Sequence, residues 1–260
     1  MFRLRCLLIG LLLIAMALPV CAKPKNDTLF QTSTIDALMS GIYDGKVTFK
    51  ELGKHGDTGI GTFNTLDGEM IGLDGKFYQI TADGACHPVG DSMMTPFAAV
   101  TFFEKDKIGT IDQEMDFARL REYVDSLLPS KNVFYAVRIE GTFKSVKTRS
   151  VPKQEKPYPK LIDVVAKQPT FELADVKGTI IGFWCPYYVK GVNVPGYHFH
   201  FINEAKTQGG HVLDCVVKSG SVALDITPEF RLSLPEDEEF RKANLDPETS
   251  KDLKAVEGGK

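Results

Sequence analysis

The sequence predicts an α+β fold, mixed in its helices and strands: two β-rich sheet domains with a few helices and a metal site in the C-terminal half. Three observations predict it. Strand-like runs rich in Val, Ile, Phe and Thr recur along the chain, from "GIGTFNTLDGEMIGLDGKFYQIT" to "HVLDCVVKSGSVALDI". Helical spacing is confined to short stretches. The order is a β-rich half, a helix, a second β-rich half and another helix, as expected of two small sheets with a site between them.

Taken in order, residues 23 to about 33 are polar and read as loose. "TIDALMSG" (34–41) reads as a short helix with Thr34 as cap and Gly41 as stop. "YDGKVTFKELGKHG" reads as turn, short strand and loop. Asp67-Gly68 and Asp74-Gly75 mark two hairpin turns. "TPFAAVTFF" (95–103) is a buried strand. In "DFARLREYVDSLLP" (116–129), Phe117, Leu120, Val124, Leu127 and Leu128 fall at helical spacing before Pro129. "VFYAVRIEGTFKSVKTRSV" is a strand pair or one long bent strand, and "YPKLIDVVAKQ" is a second amphipathic helix. "GTIIGFWCPYYV" and "GYHFHFINE" are strands. The charged C-terminal stretch holds a short helix at "EDEEFRKA" and then a mobile-looking tail. The predicted units are residues 1–22, 23–135 and 136–260. An internal echo links the last two: "GTFNTLDGEM" from Gly61 and "GTFKSVKTRS" from Gly141 carry Glu69 and Arg149 at the same ninth position, as two related units would.

Residues 1–22 read as a secretory signal: Arg3 and Arg5, an apolar run, then "PVCA" with cleavage after Ala22. The apolar run of about 13 residues is short of the ~20 that a spanning helix needs. The mature protein is expected to be exported, periplasmic or secreted. A lipid anchor at Cys21 is the less favoured variant, because Val20 is a poor residue before a lipidated cysteine. A net charge of -3 across 260 residues offers no field for nucleic acid. Outside the signal, Cys86, Cys185 and Cys215 make at most one disulfide, so stability must come from an ordinary core.

The chain has five histidines, and three lie in "GYHFHFINEAKTQGGH". On a strand, His198, His200 and Ile202 share one face, while Tyr197, Phe199 and Phe201 take the other, core-facing side. A turn-rich link then returns the chain with His211 at the start of a new strand, beside the pair. Three imidazoles from two strands suit a transition-metal ion with open positions for water or substrate. Zinc leads; iron, manganese, nickel and copper share the ligand type. The bland reading is chance clustering on an exposed hairpin. His55 and His87 read as loop histidines. Cys215, four residues after His211, reads as a packing cysteine rather than a ligand.

These residues carry a resemblance. "GTFNTLDGEMIGLDGKFYQI", "TPFAAVTFF", "RIEGTFKSVKTRSVPKQEKPYPKL" and "GTIIGFWCPYYVKGVNVPGYHFHFINEAKTQGGHVLDC" resemble the α-acetolactate decarboxylase family over roughly residues 30 to 258. The resemblance implies a zinc lyase, commonly dimeric, that converts 2-hydroxy-2-methyl-3-oxobutanoate to acetoin and CO₂ through a metal-chelated enediolate. It implies metal ligands at His198, His200 and His211, and catalytic roles for Glu69, Arg149 and Glu257. Arg149 would hold the departing carboxylate, and Glu69 or Glu257 would supply the proton. No organic cofactor is implied. Two other readings stay open. One is a secreted metal-binding module of the PPC type, without turnover and without the Glu69 and Arg149 segments. The other is a related metal lyase or isomerase on another 2-hydroxy-3-keto acid. Whether Glu69 and Arg149 reach the histidines separates the module from the enzyme.

Overall fold

The structure, a computed structural model, describes residues 27–245 and 252–257. The proposed signal with its Cys21 lies outside them. Among the described residues no helix is long and apolar enough to cross a membrane. The strands are β1 (Thr28–Thr32), β2 (Val47–Thr48), β3 (Thr58–Thr62), β4 (Glu69–Leu73), β5 (Lys76–Ile80), β6 (Cys86–Pro88), β7 (Met94–Thr95) and β8 (Ala98–Thr101). There follow β9 (Lys107–Ile111), β10 (Met115–Asp116), β11 (Phe134–Arg149), β12 (Thr170–Cys185), β13 (Gly196–Asn203), β14 (Gly209–Thr227) and β15 (Glu229–Ser233). The helices are α1 (Ile35–Met39), α2 (Phe49–Leu52), α3 (Phe117–Leu127), α4 (Leu161–Val165), α5 (Glu238–Lys242) and α6 (Leu253–Glu257).

Two sheets carry the fold. The first has the order β15-β1-β8-β3-β4-β5-β6. In the second, β10-β14-β11-β12-β13, the start of β14 also pairs with β13, so β11, β12, β13 and β14 close into a ring. The sheets do not follow a cut at residue 135: β9 and β10 join the second sheet, α3 packs on it, and β15 returns to the first by pairing in parallel with β1.

Apolar burial explains both layers. Tyr135, Val137, Phe143, Ile180, Phe199 and Phe201 form a core under α3, whose Leu120 and Val124 face it. Asp116 caps that helix by accepting from the Arg119 N–H at 2.9 Å. On the opposite face of the second sheet, Ile181, Phe183 and Ile202 pack against Ile60, Ile71 and Ile80 of the first. Burying such side chains contributes about 1.5–3 kcal/mol each.

The structure departs from the sequence reading at five further places. The segment read as loose contains β1, an interior strand of the first sheet with Leu29 fully buried. Its Gln31 is also buried, because its amide donates to the Ser33 and Val192 carbonyls at 2.7 Å each and accepts from Asn193 at 2.6 Å. Past the short strand β2, "FKEL" forms α2 rather than loop, capped by the Thr48 hydroxyl accepting from the Glu51 N–H at 3.2 Å. Asp67-Gly68 is not a tight hairpin turn but the end of a loop from Phe63 to Gly68. Asp74-Gly75, with φ of 52° and 74°, is one, matching the strand twist. The tail forms α6, because Leu253 and Val256, three apart, bury in an apolar cluster with Ile35, Leu66 and Leu161. Finally, the Gly-Thr-Phe echo does not mark equivalent units: the first copy spans a strand, a loop and a strand, and the second, up to Arg149, runs along the single strand β11.

Candidate metal centre

The centre forms where the two sheets face each other. On β13, alternation points His198 and His200 toward the first sheet, and the link 204–208 brings His211 into register opposite His200. His211 also pairs in register with Arg149 of β11, so Arg149, His211 and His200 lie in a row across three neighbouring strands. Gly210 permits this approach. Its φ is +137°, and a Cβ there would lie 2.4 Å from the Arg149 carbonyl oxygen. The first sheet supplies Glu69 at the start of β4, and α6 supplies Glu257.

The face carrying the histidines is as buried as the core face behind it: His198, His200 and His211 are 8, 1 and 1% exposed. Their ring centroids are 5.0 to 5.4 Å apart. One ligand atom from each lies within 4.8 Å of the others. His200 Nδ1 lies 2.8 Å from the Met70 carbonyl oxygen, which makes Nδ1 the protonated nitrogen and leaves the Nε2 lone pair free. Arg149 Nη1 donates to Glu69 Oε1 at 3.1 Å and Nη2 to the Val256 carbonyl at 3.1 Å. Arg149 Nη2 is 3.9 Å from Glu257 Oε1. Glu69 Oε2 is 3.5 Å from His200 Nε2, and Glu257 Oε2 is 3.2 Å from His198 Nε2 and 3.8 Å from His211 Nδ1.

Burial sets the charge states. It drives the His198 pKa down to about 3, assisted by the Arg149 charge. It also holds His200 and His211 well below the usual imidazole range. All three are therefore neutral near pH 7, the state that binds a metal. Burial pushes Glu69 up to about 7, with Arg149 opposing and Glu257 adding to the shift, and it raises Glu257 as well.

The residues fit a divalent cation. His200 Nε2, both His211 ring nitrogens and Glu257 Oε2 are buried and make no well-aligned hydrogen bond. Buried polar atoms converging on one cavity are costly unless a ligand meets them. A cavity of about 30 Å³ lies among these groups. One half of its wall is polar. The other is formed by Ile35, Leu38, Leu66, Phe97, Val151 and Leu161.

Outside this cluster the remaining readings resolve simply. His55 stacks on Phe30 at 3.9 Å, and His87 is an exposed residue of β6. The three described cysteines are free thiols. Cys215 packs in the core on the side away from the imidazoles. A bulge at Leu213, between the register pairs Thr148–Val212 and Lys147–Asp214, reverses the alternation after His211.

The fold and the site define a mixed α+β protein with an enclosed three-histidine centre joined to a buried Glu–Arg–Glu cluster. The chain belongs to the alpha-acetolactate decarboxylase family, whose pattern matches residues 29–247. It is 49% identical to the alpha-acetolactate decarboxylase of Methanosarcina mazei, over 92% of this chain and 83% of that one. It is 45% identical to that of Bacillus subtilis strain 168, over 88% of this chain and 91% of that one. The crystal structure of the alpha-acetolactate decarboxylase from the same strain superimposes with a TM-score of 0.87 at 44% identity, covering 89% and 99% of the two chains. Glu257 lies beyond the matched stretch, so its place at the centre rests on α6.

Proposed function

We propose that this chain decarboxylates 2-hydroxy-2-methyl-3-oxobutanoate (acetolactate) to acetoin, with zinc held by His198, His200 and His211. The observation that carries the mechanism is the convergence of Glu69 and Arg149 on the three imidazoles, which a metal-binding module would not need.

In the reaction the C1–C2 bond breaks, its electron pair passes to the C3 ketone oxygen, CO₂ leaves, and a proton returns to C2. A bound divalent metal supplies Lewis-acid stabilisation of the developing negative oxygen. Arg149 presents its guanidinium to the substrate carboxylate, and its bond to Glu69, on the first sheet, holds it in place when α6 moves. Glu69, whose carboxyl burial raises to about 7 in the metal-free protein, is the group placed to deliver the proton to C2. Glu257 is the alternative donor, and α6, a short element of the C-terminal tail, shifts to make room for the substrate.

The test is acetoin release from racemic acetolactate by the purified protein, before and after chelation and on restoring zinc. Zinc-dependent turnover that is lost in Glu69→Gln and Arg149→Ala supports the assignment. Stoichiometric zinc without acetoin would sink it. The same reading has residues 1–22 removed on export and a homodimer in solution. N-terminal sequencing and light scattering check these two points.

A further inference from the structure

Two buried amides join the sheets at a distance from the centre. Gln31, on β1 of the first sheet, is 0% exposed, and Asn193, in the link between β12 and β13 of the second, is 3% exposed. Neither lines the cavity among the imidazoles. Their side chains meet at 2.6 Å, with Asn193 Nδ2 donating to Gln31 Oε1. Gln31 Nε2 donates to the Val192 carbonyl at 2.7 Å, and Asn193 Oδ1 accepts from the Val194 N–H at 2.6 Å. The Ile35 and Asp36 N–H groups, at the start of α1, add bonds to the Val192 and Gly191 carbonyls at 3.0 and 3.2 Å. The link is thus tied to the first sheet along residues 191 to 194. Apolar side chains would fill the same space without burying two amides. A buried network whose oxygens and nitrogens are all bonded gives fixed geometry instead.

The link is part of the seat of α6. Val194 follows Asn193 directly and joins the apolar cluster that buries Ile35, Leu253 and Val256. It also stands with Leu253 and Glu257 along one surface cleft. Leu253 and Val256 are the buried apolar side chains of α6, and Glu257 at its end reaches to 3.2 Å from His198 Nε2. We propose that Gln31 and Asn193 are positioning residues that act through Val194 and α6 to place Glu257 at the centre. This rests on the keto-acid reading above, in which α6 gives way to the substrate. A five-residue helix has too few internal bonds to keep its own geometry when it leaves and returns. The place it returns to must be held by the body of the protein, and the amide pair holds it.

The experiment compares wild type with Gln31→Met, which keeps the length of the side chain and removes its hydrogen bonds. Asn193→Ala breaks the same pair from the other side and serves if the first variant fails to fold. Hydrogen exchange of the metal-free protein is followed by mass spectrometry over residues 252–257. Exchange there should be about tenfold faster in either variant, as the loss of a buried amide pair allows, while β11 keeps its protection. Leu120→Ala, which loosens the remote core under α3, should leave exchange of α6 unchanged. Turnover of acetolactate by zinc-loaded protein then closes a cycle with Glu257→Gln. Gln31→Met should lower kcat by about tenfold when Glu257 is present and by less than about twofold when it is replaced. An equal factor in the two backgrounds, unchanged exchange over 252–257 in a folded variant, or an equal rise in Leu120→Ala would overturn the proposal. So would a wild type whose residues 252–257 exchange without protection. Wild type that releases no acetoin would sink the decarboxylase reading instead, and the exchange would still decide the role of the two amides.

Discussion

On β13, Phe199 and Phe201 point one way and His198 and His200 the other, and the two sides are buried alike. Phe201 is 0% exposed and His200 1%. The phenylalanines join the core under α3, and Phe201 meets Phe143 edge-on at 5.4 Å. The imidazoles pack against one another at similar distances, 5.0 to 5.4 Å between ring centroids, but lose the ability to take a proton at ordinary pH. Equal burial therefore has opposite energetic meaning on the two faces. One stabilises the chain, and the other holds a set of lone pairs ready at a cost that the first must offset.

Four experiments break or sharpen that contrast. The largest effect is expected on the imidazole face. His200→Gln should lose bound metal and lower acetoin release by about a thousandfold or more, the several kcal/mol that a Lewis-acid metal contributes. Metal analysis and turnover of the same sample check it. On the opposite face, Phe201→Ala should cost about 3–5 kcal/mol in urea unfolding while the folded fraction keeps its metal. Loss of metal without loss of stability there would erase the distinction between the faces.

Glu69→Gln comes next. A positioned proton donor contributes about 10²–10⁴ in rate, so kcat should fall by about a hundredfold or more with metal content unchanged. The smallest effect is on stability against pH. Folded, metal-free protein keeps His198 neutral down to about pH 3, whereas an unfolded chain protonates it at about 6.5. Between those values the unfolded state binds more protons. The contribution of His198 is therefore complete above 6.5 and is lost as pH falls toward 3. Thermal melts of the metal-free protein from pH 7 to 4 should show a shallower decline in His198→Gln than in wild type.

The same contrast explains what could be read without coordinates. The His-x-His alternation and the Gly-Gly return to His211 are local patterns, and they led directly to the centre. Glu69 and Arg149 were reached through family resemblance, since nothing local distinguishes a carboxylate beside a turn from a solvated one. The α+β character and α3 followed from periodicity. What stayed illegible depends on distant partners. β1 looks polar because the groups that satisfy Gln31 lie some 160 residues away, at Val192 and Asn193. The bulge that turns Cys215 from the imidazoles exists only in the pairing of β14 with β11. The helical α6 depends on an apolar cluster assembled from α1, α4 and the loop at Leu66.

The parallel pairing of β1 with β15 bears on how the molecule assembles. Thr28 and Glu229, 201 positions apart, share a 3.0 Å hydrogen bond. A β-hairpin such as β4–β5 forms within about 1–10 μs, but this contact waits for nearly the whole chain, and pairings so distant slow folding. During synthesis the outer edge of β1 has no partner until Glu229–Ser233 emerges. A chain cut short before that point would keep its early hairpins and still present an open strand to its neighbours, which is how aggregation starts.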